Sequence, residues 1–227
     1  MNDIKELLLK LQIPYKNIEY YEVATTHSSC NADKNEEFRD YERLEYIGDS
    51  IIGFVSADLI YKMHEEMDQG LMSKLRSYLV CSRSLAGYAR RIKLHKYIKT
   101  GNSISQKQLE NSDKILEDVF ESLVGAIYLD LGIQSAYKFV KKFLYEDVKN
   151  TGVESIVDAK TRLQEDVQSE YREAVQYVLI GESGPAHNRT FEVEVRFNGI
   201  ILGRGSGKSK KQAEEAAASD ALSKRSI

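Results

Sequence analysis

The feature that most limits the folds open to this chain is a change of hydrophobic period near residue 150. Before it, no proline occurs after Pro14, and the apolar residues recur at helical spacing. Leu44, Ile47 and Gly48 are continued by Ile51, Val55, Leu59 and Ile60, and Tyr78 to Ile92 and Ile115 to Leu131 read as further helices. Polar turns such as Asp68-Gln69-Gly70 and Thr100-Gly101-Asn102-Ser103 separate these runs. The period then lapses over KNTGVES, Lys149 to Ser155, which predicts a linker at residues 149–155. Beyond the linker the pattern is different. Asp158 to Tyr171 carries Leu163 and Val167 four apart, as in a helix, and Val175 to Ile180 is β-branched and aromatic. Phe191 to Phe197 alternates strictly, setting Phe191, Val193, Val195 and Phe197 on one face. Asn198-Gly199 is a hairpin turn into Ile200 to Gly205, and Lys208 to Ser223 closes with an alanine-rich helix. The predicted fold is an all-α domain over residues 1–148, then a small α+β unit of order α-β-β-β-α over 156–227.

The bulk composition excludes several classes. A hydrophobic fraction of 42% with 30% charged residues is that of a globular protein, neither disordered nor collagen-like. The opening MNDIKELLLKLQIP interleaves charges with Ile4, Leu7, Leu8 and Leu11, and nowhere do 18 apolar residues run together. Export and membrane spanning are therefore not expected. Cys30 and Cys81 lack any metal-ligand spacing and read as free thiols in a reducing cytosol. The net charge of -3 argues against a polyanion partner on average, although binding depends on where basic groups cluster.

Charge does cluster, with both signs. YERLEYIGDS, Tyr41 to Ser50, sets Glu42, Glu45 and Asp49 at spacings of three and four, where a helix stacks them on one face and makes them repel. A cation is required there: a lysine, solvent counter-ions or a metal. ILEDVFESLVGAIYLD places Asp118 and Glu121 three apart on an apolar helix. Small groups of carboxylates suit hard cations, and Mg2+ commonly takes one or two of them together with waters and a substrate phosphate. Solvated acidic helix faces are also frequent, so the spacing alone leaves both readings open. Near the other end, Ser209 with Gln212 three residues on is a capping-box signature, surrounded by Lys208, Lys210 and Lys211. Free N–H groups, the helix dipole and three ammonium groups would meet there, either as a phosphate site or as a solubilising surface.

DAKTRLQE (Asp158 to Glu165), GPAHN (Gly184 to Asn188) and KSKKQAEEAAA together resemble the double-stranded RNA-binding domain. The resemblance implies that Thr161, Gln164 and Glu165 bond in one minor groove, His187 in the next, and Lys208, Lys210 and Lys211 to phosphates between them. Glu214 stands where many members of that family carry another lysine.

In the first half, THSS (Thr26 to Ser29), ERLEYIGDS, GLMSKLRSYLV (Gly70 to Val80) and LEDVFESLVGAIYLD occur in the order of the ribonuclease III family, which they resemble. That resemblance implies an all-helical catalytic domain that forms a homodimer. Glu45, Asp49, Asp118 and Glu121 fall at its metal carboxylates, Asp49 and Glu121 being the residues on which catalysis most depends. Glu42 falls at a further acidic position of the cleft, and Tyr46 where an aromatic, usually Phe, plugs into the partner subunit. Tyr41 replaces a common Asn, and Glu117, next in sequence to Asp118, is expected to face elsewhere on its helix. The implied activity is hydrolysis of duplex RNA with Mg2+, or Mn2+ in its place, leaving 5'-phosphate and 3'-hydroxyl ends. Precursors of ribosomal RNA and structured transcripts are the implied substrates, in the cytoplasm, with no small-molecule organic cofactor. A non-catalytic duplex binder of the same fold would lack one of the four carboxylates; here all four are present. His27, His64 and His95 are assigned no site, and a pairing of His27 with Ser28 or Ser29 as base and nucleophile is set aside for a hydrogen-bonding role.

Overall fold

The apolar period of the first half winds into helices, four of which begin at a side chain that caps them. The computed structural model describes residues 2–32, 40–152, 158–185 and 188–225. The chain divides into two compact units, Met1–Thr151 and Gly152–Ile227. In the first, α1 (Ile4–Leu11), α2 (Glu19–Ala24) and α3 (Ser29–Ala32) lead to the long α4 (Glu42–Met63). Next come α5 (Gln69–Leu79), α6 (Ser82–Arg91), a 3-10 turn (Leu94–Tyr97) and α7 (Gln106–Asn111). The central α8 (Asp113–Leu131) and α9 (Ile133–Asn150) complete the unit. Asp3, Asp68 and Ser112 each accept a backbone N–H of the first turn they precede, and Ser105 with Gln108 forms a full capping box.

Two features differ from the sequence expectation. Tyr78 to Ile92 is not one helix: α5 stops at Leu79, and Cys81, in extended backbone, caps α6. The apolar residues keep helical spacing across that break, so period alone does not reveal it. α9 also continues through Lys149 and Asn150, the first two residues of the expected linker, while 153–157 lie outside the described residues.

The core of this unit is the crossing of α4 and α8. Leu44, Ile51, Ile52, Val55, Leu59 and Ile60 of α4 are buried, as is nearly all of α8 from Leu116 to Ile127. At the crossing each helix contributes a glycine. A Cβ on Gly48 would lie 1.8 Å from the Glu121 carbonyl oxygen, and one on Gly125 2.3 Å from that of Leu44. The two backbones touch because nothing stands between them. Around α8, rings of Tyr88, Phe120, Phe139 and Phe143 pack with centroids 5.1 to 5.9 Å apart. Phenols of this unit find carboxylate acceptors: buried Tyr88 donates to Asp147 (2.6 Å), half-buried Tyr137 to Asp58 (2.6 Å) and buried Tyr21 to Asp130 (3.0 Å).

The second unit begins with α10 (Ala159–Tyr171), whose first turn is capped by Asp158. β1 (Gln176–Ser183), β2 (Thr190–Phe197) and β3 (Ile200–Gly207) form an antiparallel sheet in that order, and α11 (Lys210–Arg225) closes the unit. Asn198 and Gly199 both have positive φ, 49° and 79°, as a two-residue hairpin turn matched to strand twist requires. Val193 and Val195 are buried against Leu163, Val167 and the alanines of α11, with Phe191 and Phe197 partly buried beside them. β3 meets α11 through glycine: a Cβ on Gly205 would lie 2.2 Å from the Ala217 nitrogen, and one on Gly203 2.4 Å from the Ala217 oxygen. On the opposite sheet face, Glu194 is buried as well, because Arg196 (2.6 Å) and Arg204 (2.9 Å) close over it. Alternation alone does not foresee that burial, which is ionic in origin.

These contacts separate two glycines of α4. Gly48→Ala is expected to cost at least about 1–3 kcal/mol, the usual range for overpacking, and to lower the melting temperature. Gly53→Ala, whose Cβ meets nothing within 4 Å, is expected to raise it by removing freedom from the unfolded chain. Thermal unfolding followed by circular dichroism reads both.

Candidate active site

Where the glycines let α4 and α8 touch, their acidic faces border one open cleft of about 610 Å3. Glu42, Glu45 and Asp49 line it from α4, and Glu117, Asp118 and Glu121 from α8, joined by Tyr41, Tyr46 and Lys114. One carboxylate oxygen each from Glu45, Asp118 and Glu121 lies within 4.8 Å of the others. Oxygens on opposite sides of one Mg2+ are about 4.2 Å apart, so small side-chain rotations suffice for a shared ion. Asp118 and Glu121 are buried, while Asp49 is exposed on the wall beside them. All four carboxylates expected at the site line this one cleft. Three converge, and Asp49 stands outside the trio, close enough that its charge raises the Glu121 pKa.

Glu117 requires a correction. It was expected to face away, yet it lines the cleft and its charge acts on Glu121, Glu45 and Lys114. It precedes Glu121 by four residues, one turn along the same face, and that relation outweighs its adjacency to Asp118.

Electrostatics mark the cleft as short of positive charge. Burial, reinforced by the charges of Asp49, Glu117, Glu45 and Asp118, pushes the Glu121 carboxyl up to about 8. Glu45 is raised for the same reasons, burial first and Asp118 next. One cation answers: Lys114 Nζ lies 2.6 Å from Asp118 Oδ1 and 3.7 Å from Glu45 Oε1. On the other Asp118 oxygen, Tyr41 donates its hydroxyl to Oδ2 at 3.2 Å. Burial and that carboxylate together push the Tyr41 phenol well above its ordinary value. The Tyr41 ring packs edge-on against His27 (5.5 Å), whose Nδ1 accepts the Ser29 backbone N–H at 2.9 Å. Ser29 Oγ in turn accepts the Gly101 N–H at 3.0 Å, which ties the segment carrying His27 to the turn at Gly101.

The cleft suits a hard divalent cation. Its donors are all carboxylate, two are buried, and the buried Asp118 Oδ1 faces the Lys114 ammonium. Lys114 and the role of Tyr41 escaped the sequence reading. The signal for Lys114 was its place four residues before Asp118. Tyr46 sits at the cleft and is 78% exposed.

In the second unit, Lys208, Lys210 and Lys211 are exposed around the start of α11. Ser209 Oγ accepts the Gln212 N–H (3.2 Å), but Gln212 Oε1 accepts from Lys208 N (3.0 Å), so the return bond of the capping box is displaced by one residue. Lys208 Nζ donates to Thr190 Oγ1 at 3.2 Å. Thr161 Oγ1 donates to Asp158 (2.9 Å), Gln164 Oε1 accepts the Val175 N–H (3.3 Å), and Glu165 is exposed. His187 lies outside the described residues. Glu214, conspicuous in a basic helix start, ion-pairs with Lys160 of α10 at 2.5 Å, and that ammonium lies 4.7 Å from the Tyr177 ring centroid. Its carboxylate thus ties the two helices together.

Comparison with known proteins agrees with both halves. Residues 17–148 match the family described as Ribonuclease-III-like, and residues 159–225 the Double-stranded RNA binding motif. Ribonuclease 3 of Listeria monocytogenes serovar 1/2a is 37% identical over 225 residues, covering 99% of this chain and 98% of that protein. Ribonuclease 3 of Onion yellows phytoplasma is 42% identical over 224 residues, covering 99% and 92%. The crystal structure of the nuclease domain of ribonuclease III from Campylobacter jejuni, 25% identical, superposes with a TM-score of 0.59 over 67% of this chain and 100% of that one. With two acidic helices meeting in a helical first unit and a sheet-and-helix unit following it in sequence, this chain belongs to the ribonuclease III family.

Proposed function

We propose that this protein is a divalent-metal-dependent endoribonuclease that cuts duplex RNA. The observation that carries the reading is the convergence of Glu45, Asp118 and Glu121, from two helices, in one electronegative cleft. These three residues would hold the ion, with Mg2+ as the expected metal and Mn2+ able to replace it. The bound ion supplies activation of a water and neutralisation of charge on the scissile phosphate. The chain does the rest. Tyr41 fixes Asp118 through Oδ2, Asp49 with Glu42 and Glu117 keeps the field at the cleft negative, and the glycine crossing holds α4 against α8. Water attacks phosphorus in line and the 3'-oxygen leaves, so the products carry 5'-phosphate and 3'-hydroxyl ends.

Residues 1–148 act as the nuclease domain, 149–155 as linker and 156–227 as the RNA-binding domain, in keeping with the two family matches. Lys208, Lys210 and Lys211 meet phosphates, with Thr161, Gln164, Glu165 and His187 in the flanking minor grooves, a mode that reads A-form shape. The Campylobacter jejuni nuclease domain has a region involved in dimer formation. A homodimer is proposed here also, with exposed Tyr46 inserted into the partner subunit, so that two clefts cut the two strands. The proposed substrates are ribosomal RNA precursors and structured transcripts in the cytoplasm.

Four outcomes test this reading. Incubated with Mg2+, the protein is expected to cut a long RNA duplex but neither single-stranded RNA nor duplex DNA, and chelator abolishes cutting. Glu121→Ala should lower the cleavage rate by at least about 100-fold while still shifting duplex RNA on a gel; lost binding with cutting intact per bound complex contradicts the assignment. Replacing Lys208, Lys210 and Lys211 by Ala should flatten the dependence of log affinity on log salt by about 2 to 3. The fourth is a matter of pH. Glu121 titrates near 4.5 ordinarily and at about 8 in the fold. Between those values the folded protein binds more protons than the unfolded chain, so metal-free stability falls as pH rises through that window. Melting in chelator should drop from about pH 5 to pH 8, and Glu121→Gln should flatten that drop and melt higher than the parent at pH 8.

A further inference from the structure

We propose that Lys114 is the resident counter-ion of the acidic cleft, and that a divalent metal loads by displacing its ammonium from Asp118 Oδ1. The inference rests on the metal-dependent reading of the cleft and adds how the metal-free and loaded states are related. Six carboxylates line the cleft (Glu42, Glu45, Asp49, Glu117, Asp118 and Glu121), and among the described residues Lys114 is the one cation that lines it. Its Nζ lies 2.6 Å from Asp118 Oδ1 and 3.7 Å from Glu45 Oε1, bridging α8 to α4 between two of the three groups whose oxygens converge. An ion bound by the same oxygens needs that place, at about 2.1 Å from each oxygen. Ammonium and metal are therefore alternatives.

The surroundings favour exchange over permanent pairing. The Lys114 side chain is 71% exposed, so it can swing into solvent without unpacking the core. Asp118 does not move with it, because the buried Tyr41 hydroxyl keeps Oδ2 in place. Withdrawal of the ammonium thus leaves a pre-oriented carboxylate with its Oδ1 free. While the ammonium is present, it offsets repulsion that would otherwise push α4 and α8 apart at their closest approach.

Two measurements on the full-length protein decide the matter, neither of them a cleavage assay. In the wild type labelled with [13Cε]-lysine, the Lys114 resonance, assigned by its absence from Lys114→Gln, should move to the position of solvated lysines as Mg2+ is added. In a Mn2+ titration followed by electron paramagnetic resonance, Lys114→Gln should bind about threefold to tenfold more tightly than the wild type, the size of the ion-pair contact that no longer has to be broken. Its metal-free form should melt below the wild type, and saturating Mg2+ should narrow that gap. Unchanged or weaker Mn2+ binding by the variant, or a Lys114 resonance that stays put while Mg2+ saturates the wild type, overturns the exchange. If Lys114→Gln does not fold without metal, Lys114→Arg, which keeps the positive charge and removes the labelled lysine, supplies the assignment and the wild-type resonance decides. Failure of the wild type to bind Mn2+ at all overturns the metal reading itself.

Discussion

The contact on which the first unit depends is the backbone-to-backbone approach of α4 and α8 at Gly48 and Gly125. A side chain at either position would drive into a carbonyl of the facing helix. Without one, the helices come close enough for Glu45 on one and Asp118 and Glu121 on the other to converge. The approach opposes like charges and is sustained by the apolar remainder of the same helices, Leu44, Ile51 and Val55 against the buried face of α8. The glycines and the carboxylates are thus parts of one arrangement: the first make the distance available, and the core holds it against the repulsion of the second.

That distance has an electrostatic consequence. Asp118 and Glu121 lie where water is largely excluded, and burial is the main reason the Glu121 carboxyl titrates so high. A buried carboxylate left without a cation is costly, so such a site is linked to whatever cation occupies it. In this fold the answer is divided between Lys114, facing solvent on one Asp118 oxygen, and Tyr41, buried on the other. A solvent-facing cation and a buried hydroxyl make different contributions: the first balances charge, the second holds geometry.

The second unit uses the same packing device for another end. Glycines at alternate positions of β3 meet alanines of α11, so a helix lies directly on a sheet, with its lysine-bearing start exposed. Ionic contacts are used there for cohesion as well: Glu214 pairs with Lys160 between helices, and Glu194 lies under Arg196 and Arg204 on the outer sheet face. Acidic residues such as Glu214 and Glu194 are compatible with a polyanion ligand because they are committed to internal cations, while the lysines around Ser209 face outward.

Much was legible in the sequence because it depends on neighbours along the chain. The change of period near residue 150, the alternation from Phe191 to Phe197, the Asn198-Gly199 turn and the shared faces of Glu42, Glu45 and Asp49 are local matters of helix and strand geometry. Spacing along one helix says which residues share a face; it does not say which residues of another helix meet that face, or how closely. Tertiary structure alone decided that Glu45 joins Asp118 and Glu121 while Asp49 stands at the wall, that Glu117 turns into the cleft, and that Lys114 and Tyr41 divide the oxygens of Asp118. Those outcomes follow from the place where two helices lacking side chains at Gly48 and Gly125 touch, a constraint that acts through space and leaves no periodic trace in the chain.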